Sequence, residues 1–203
     1  MARQKTYSRD DVIQKALGAF HETGYFATSI STLVEVTLLN RKIIYEQFSS
    51  KEGLFLEALR LYMGRMEAAW ERYLAPEPLG ISNIRSYFRY LSHEFPQKGD
   101  LASLTVNEAS RSPEEAVELC REHLMKLEAI FTTNLIAEYG RTPSVYMSAK
   151  ALVFQQSALS TMGRLGTSVE DLQRMADYVL GAIFAQCEVA QAMPGMKPAA
   201  NMA

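Results

Sequence analysis

Cysteine is scarce in this 203-residue chain: Cys120 and Cys187 are the two present. They stand far apart, so a disulfide framework is not what stabilises the fold, and two buried thiols in a reducing, cytoplasmic setting fit better. No apolar run approaches the ~20 residues of a membrane span, and the opening MARQKTYSRDD lacks the apolar core of a secretory signal. Strand patterns are nearly missing. So are a phosphate-cradling glycine loop, His-Glu-x-x-His, Cys-x-x-Cys and the nucleophile elbow. His21, His93 and His123 are too dispersed to suggest metal ligands. These absences argue against an enzyme and against a bound metal or other cofactor. Strong charge of either sign is lacking too: the net charge is −2, which argues against a polybasic nucleic-acid binder.

The distribution of that charge says more than its sum. Residues 1–51 hold seven cations (Arg3, Lys5, Arg9, Lys15, Arg41, Lys42, Lys51) and five anions (Asp10, Asp11, Glu22, Glu35, Glu46), so the acidic excess lies in the remainder. A DNA-facing N-terminal part on an acidic body is permitted.

Helical periodicity recurs along the whole chain. Val12, Ile13, Ala16, Leu17 and Phe20 follow Ser8 at spacings of three and four, and Gly24 is a natural stop. Asp11, three residues after Ser8, suggests a capping box. A short helix follows, capped by Ser29 or Ser31, and then a second, capped by Asn40. Ser50 begins a longer helix that the run APEPLG ends near Leu74. Further helices are predicted over 82–95, within GDLASLTVNEAS, from Ser112-Pro113 to Tyr139, from Thr142-Pro143 to about Gly163, and after Ser168. The reading is all-α with about nine helices. No repeat of solenoid period is present.

The segment NRKIIYEQF, residues 40–48, carries the functional signal. At about 100° per residue, Arg41, Lys42, Tyr45 and Glu46 fall on one arc, and Ile43, Ile44, Gln47 and Phe48 on the other. The cations sit at the helix N-terminus, where the helix dipole disfavours them, so an anion to meet there would explain the placement. Two short helices with a tight connection form a helix-turn-helix, whose second helix enters the major groove. Thr28, Ser29 and Ser31 cluster at the start of the first short helix, where hydroxyls and backbone N–H groups suit phosphates. Lys51 begins the next helix, placed for another phosphate. Arg3, Lys5 and Arg9 would form a basic arm.

Residues 8–59 resemble the DNA-binding region of the TetR family of transcriptional regulators. The resemblance rests on Phe20, Gly24-Tyr25 and Thr28-Ser29-Ile30, then on Ile44-Tyr45, Phe48 and Lys51-Glu52-Gly53-Leu54. It implies a three-helix DNA-binding domain over 1–51 and a helical ligand-binding and dimerisation domain over 52–193; the terminal stretch over 194–203, by its own composition and position, is expected to be disordered. Carried over by position, Arg41, Lys42 and Glu46 would face bases, while Thr28, Ser29, Tyr45 and Lys51 hold the backbone. Glu46 has a second reading as the i,i+4 partner of Lys42. Leu38 departs from the family, which usually has glycine in that turn. A left-handed backbone there would cost leucine about 1 kcal/mol or more, so either the turn takes another conformation or its geometry is altered.

The resemblance also implies a homodimer through the last two helices, on a pseudo-palindromic double-stranded DNA operator. Small residues at Ala149, Ser157, Ala158, Ser160 and Gly163, and at Ala176, Gly181, Ala182 and Ala185, are compatible with close helix approach. A small-molecule inducer, largely apolar or aromatic, would lie in the body. Candidates to line its pocket are Tyr62, Met66, Trp70, Phe88, Asn107, Met125 and Phe154. Asp100 stands where some relatives carry a cysteine, so no thiol sensor is expected there. The competing reading is a helical small-molecule-binding dimer that no longer reads DNA specifically.

Overall fold

The structure is a computed structural model that describes residues 7–96 and 98–192. Among these residues there are nine α-helices, one short 3-10 turn and no strand. The helices are α1 (Arg9–Ala27), α2 (Ile30–Thr37), α3 (Arg41–Phe48), α4 (Lys51–Tyr73), α5 (Ile81–Glu94), α6 (Leu101–Asn107), α7 (Glu114–Tyr139), α8 (Pro143–Arg164) and α9 (Val169–Ala192). None of them is long and apolar enough to cross a membrane. Arg3, Lys5 and the tail expected over 194–203 lie outside the described residues.

The helix boundaries follow local chemistry. The side chains of Ser29, Asn40, Asp100 and Thr142 each accept a backbone N–H at the start of a helix, which satisfies donors that the helix cannot. Ser50 and Ser168 do the same for Gly53 and Asp171. Ser8 precedes α1 but makes no side-chain cap, so the capping box expected there does not form. Gly24 takes φ +78 inside the last turns of α1, a break that glycine permits without a Cβ penalty.

The chain divides into two compact units. The first comprises residues 1–68 and 98–124. Its core is built from Val12, Leu17 and Phe20 of α1, Leu33 of α2, Ile44 and Phe48 of α3, and Leu54, Phe55 and Leu59 of α4. Phe20 and Phe55 meet edge to face with centroids 4.8 Å apart, a geometry worth more than its buried area alone. Helix α6 packs on α1. The Glu108 carboxylate fills the space beside Gly24, where a Cβ would lie 2.7 Å from its oxygen, and the Arg111 guanidinium sits 4.9 Å from the centre of the Phe26 ring. Asp100 accepts from the Tyr62 hydroxyl at 2.6 Å and from Ser103 at 2.6 Å. Burial pushes the Cys120 thiol up to about 12, so it stays protonated and unreactive at neutral pH.

The second unit comprises residues 69–97 and 125–203. Helices α8 and α9 pack on each other and on α5. Gly163 serves this packing: a Cβ there would meet the Phe95 carbonyl oxygen at 2.5 Å. Its small size is thus used within the chain. A buried hydrogen-bond chain runs from Trp70 Nε1 to the Tyr87 hydroxyl (3.0 Å) and from that hydroxyl to Gln156 Oε1 (2.8 Å).

Tyr139 is buried in the same unit, and among the described residues its hydroxyl has no hydrogen-bond partner. Burial, with the negative charge of Glu188 second, pushes that hydroxyl up to about 12. Tyr139→Phe removes an unsatisfied group and is expected to stabilise the protein by about 1 kcal/mol in chemical denaturation. The sign of the pH effect follows. An unfolded tyrosine ionises near about 10, whereas the folded one holds its proton to about 12. Wild-type stability is therefore intact below that range and lost as pH rises through it, and the variant lacks this loss.

Candidate nucleic-acid interface

Helices α2 and α3 have eight residues each and are joined by Leu38, Leu39 and Asn40. Leu38 takes φ 60 and ψ 19, the left-handed conformation, and its N–H donates to Val34 O at 3.0 Å. The turn thus keeps the geometry that glycine would adopt, and the leucine carries the strain, about 1–2 kcal/mol. Leu39 is buried and anchors the turn, whereas Leu38 is 74% exposed. On the far side of α3, Ser49 takes φ 65, so left-handed residues bracket the helix at both ends.

Ile44 and Phe48 hold α3 on the core. Arg41, Lys42, Tyr45 and Glu46 all face outward, as their spacing predicts. The Arg41 guanidinium lies 5.8 Å from the centre of the Tyr45 ring, a cation–π contact that orders it. Lys42 and Glu46 form an i,i+4 ion pair at 3.6 Å. Such an exposed pair is worth little, so both groups can exchange it for bases. The outward arc is wider than the helical wheel suggests, because Gln47 is exposed and Ile43 is half-buried.

Thr28 does not present its hydroxyl to solvent. It is buried, and its Oγ1 donates to Gly24 O at 2.6 Å, closing the end of α1. The phosphate-facing role predicted for it does not fit this placement. Ser29 remains exposed and caps α2 through Thr32 N. Arg9 is no mobile arm: it makes two hydrogen bonds to Glu57, at 2.7 and 3.1 Å, and lies over the Phe48 ring.

Lys51 has a different task from the one its position suggests. Its Nζ donates to Tyr25 O at 2.9 Å and to Thr28 O at 3.1 Å, and it sits 4.1 Å from the Tyr25 ring centre. Partial burial lowers its pKa, and burial with the charge of Glu52 raises that of Tyr25. Lys51 therefore ties the α1–α2 corner to the start of α4. Nothing in the local sequence signals this, since the partners are 26 and 23 residues away. Lys51→Met is expected to lower stability by about 1–3 kcal/mol. It is also expected to change the slope of log affinity against log salt by much less than the ~0.9 of a lost phosphate contact, as thermal melts and salt titrations would show.

The residues expected to meet a ligand divide. Tyr62, Met66, Trp70 and Phe88 are buried. Asn107, Met125 and Phe154 are exposed, the last two by 63% and 80%. On α7 the inward stripe runs through Cys120, His123, Leu127 and Phe131, and on α8 through Ala149, Leu152, Gln156 and Leu159. Met125 and Phe154 fall off these stripes, and Asn107 lies at the solvent-facing end of α6. Those three do not line an interior pocket.

A short outward-facing helix bearing Arg41, Lys42 and Tyr45, joined to α2 by a left-handed turn and seated on the core of the first unit, has the form of a helix-turn-helix. Residues 12–58 match the sequence model of bacterial regulatory proteins of the tetR family. It is 36% identical over 97 residues, 47% of its length, to the HTH-type transcriptional repressor ComR of Escherichia coli K12. It is 26% identical over 179 residues, 85% of its length, to the uncharacterised HTH-type regulator YuxN of Bacillus subtilis 168. These matches span 46% of ComR and 60% of YuxN, so the chain covers about half the length of these curated relatives. The fold resembles that of the TetR family regulator CifR, in a cysteine-mutant form complexed with 26-base-pair operator DNA. That likeness has a TM-score of 0.75 at 22% identity, over 92% of this chain and 98% of CifR.

Proposed function

We propose that this chain is a ligand-responsive transcriptional regulator, acting as a repressor on a pseudo-palindromic operator. The observation that carries this reading is the outward face of α3, with Arg41, Lys42 and Tyr45 exposed over the buried Ile44 and Phe48. Arginine or lysine to guanine is the commonest specific base contact, and Glu46 can accept from cytosine. Tyr45 and Ser29 contact the backbone, as do the N–H groups at the start of α2. DNA reading falls to residues 1–51, and ligand binding and dimerisation to residues 52–193.

The chain works as a dimer joined through α8 and α9. Phe154 and Tyr178 are 80% and 83% exposed, and Met147 and Val189 on the same helices are exposed as well. Single exposed apolar residues are ordinary, but a group of this size calls for a partner. A two-fold axis sets the two copies of α3 one helical turn apart, ~34–36 Å. The candidates for ligand contact that remain are Tyr62 and Met66 within the first unit and, separately, Trp70 and Phe88 within the second, all buried, which suits a largely apolar or aromatic inducer. The inducer releases DNA by as much as its affinities for the two dimer states differ. The setting is the cytoplasm, with the operator.

Selection of bound sequences from a random DNA pool tests this directly. A palindromic consensus is expected, bound at fixed salt about a thousandfold or more tighter than random DNA. Failure to enrich any sequence sinks the proposal and leaves the small-molecule-binding dimer.

A further inference from the structure

Leu38 has no structural reason to be leucine. Its backbone is left-handed, where a side chain is strained and glycine or asparagine is not. Its side chain is 74% exposed, so burial does not offset that strain. Leu39 already supplies the apolar anchor of the turn. An exposed leucine is ordinary on its own, but one that is also strained points to a use.

Its position suggests the use. Leu38 lies three residues before Arg41, so their Cα atoms are within about 11 Å. The N-terminal end of the second helix is the part that approaches base edges. The exposed side chains that open α3, Asn40, Arg41 and Lys42, are polar or charged and suit phosphates, guanine or other polar edges, whereas Leu38, like Val36 two residues before it, is apolar. The apolar group that the major groove presents is the C5-methyl of thymine. We infer that Leu38 is a specificity-determining residue that packs on a thymine methyl at the edge of each operator half-site.

The inference rests on the operator-reading function proposed above, and its test separates the two. Each thymine of the selected operator is replaced in turn by deoxyuridine, which removes only the methyl group. Binding of the full chain is then measured by fluorescence anisotropy at fixed salt, for the wild type, Leu38→Gly and Leu38→Asn. Both variants relax the backbone, so both are expected to melt no lower than the wild type. Asparagine also guards against the added flexibility of glycine. One thymine per half-site is expected whose replacement weakens wild-type binding by about fourfold and leaves both variants nearly unaffected. Equal weakening of all three proteins, or no effect on the wild type at any thymine, overturns the inference while operator reading stands. Failure of the wild type to select any operator overturns both.

Discussion

Alanine at Gly53 is expected to destabilise the protein by about 3 kcal/mol, the upper end for forced overpacking, and to abolish DNA binding. Glycine to alanine inside a helix ordinarily stabilises by about 1 kcal/mol, so the predicted sign is reversed. A Cβ at Gly53 would lie 2.1 Å from the Phe48 carbonyl oxygen and 3.2 Å from its carbon. That carbonyl cannot easily retreat. Phe48 is buried with Arg9 over its ring, the following Ser49 is already left-handed, and Ser50 N donates to the same oxygen at 2.7 Å. Relief would require the α3–α4 turn to open, which tilts α3 away from its seat. A melting temperature about 6–12 °C lower would match that cost in a chain of this size. An unchanged melt would mean that the turn yields.

The second large effect concerns recognition and leaves the fold alone. Replacing Arg41 and Lys42 together by alanine is expected to lower the ratio of operator to random-DNA affinity by about a hundredfold or more. Each base contact is worth about 1–3 kcal/mol, and a dimer makes each of them twice. Both side chains are exposed and belong to no core, so the melting temperature is expected to stay within about 2 °C of the wild type. Competition anisotropy at one salt concentration, run beside a thermal melt, separates this result from the Gly53→Ala outcome. Retained discrimination would take base reading away from α3.

Much of the fold was legible because the chain repeats one local rule. Apolar residues three and four apart mark each inward face, and Asn40, Ser29 and Thr142-Pro143 mark the starts. The exposed set on α3 was legible for the same reason. What escaped reading depends on distant partners or on the limits of periodicity. Thr28 turns inward because Gly24 bends the end of α1 and offers a carbonyl. Lys51 reaches back to carbonyls that its own neighbourhood does not announce. Gln47 and Ile43 lie on the inward side of an ideal wheel, but an eight-residue helix seated by Ile44 and Phe48 covers only a narrow stripe. Met125 and Phe154 have the residue types of a pocket lining, and residue type alone does not distinguish an interior from an exposed face.

The first compact unit is closed by a stretch of chain that the sequence resumes only after residues 69–97. A chimera given only residues 1–68 would lack Glu108 beside Gly24, Arg111 over Phe26 and Asp100 under the Tyr62 hydroxyl. Transplanting this unit onto another chain therefore takes two separate pieces of coding sequence, with residues 98–124 travelling alongside the first.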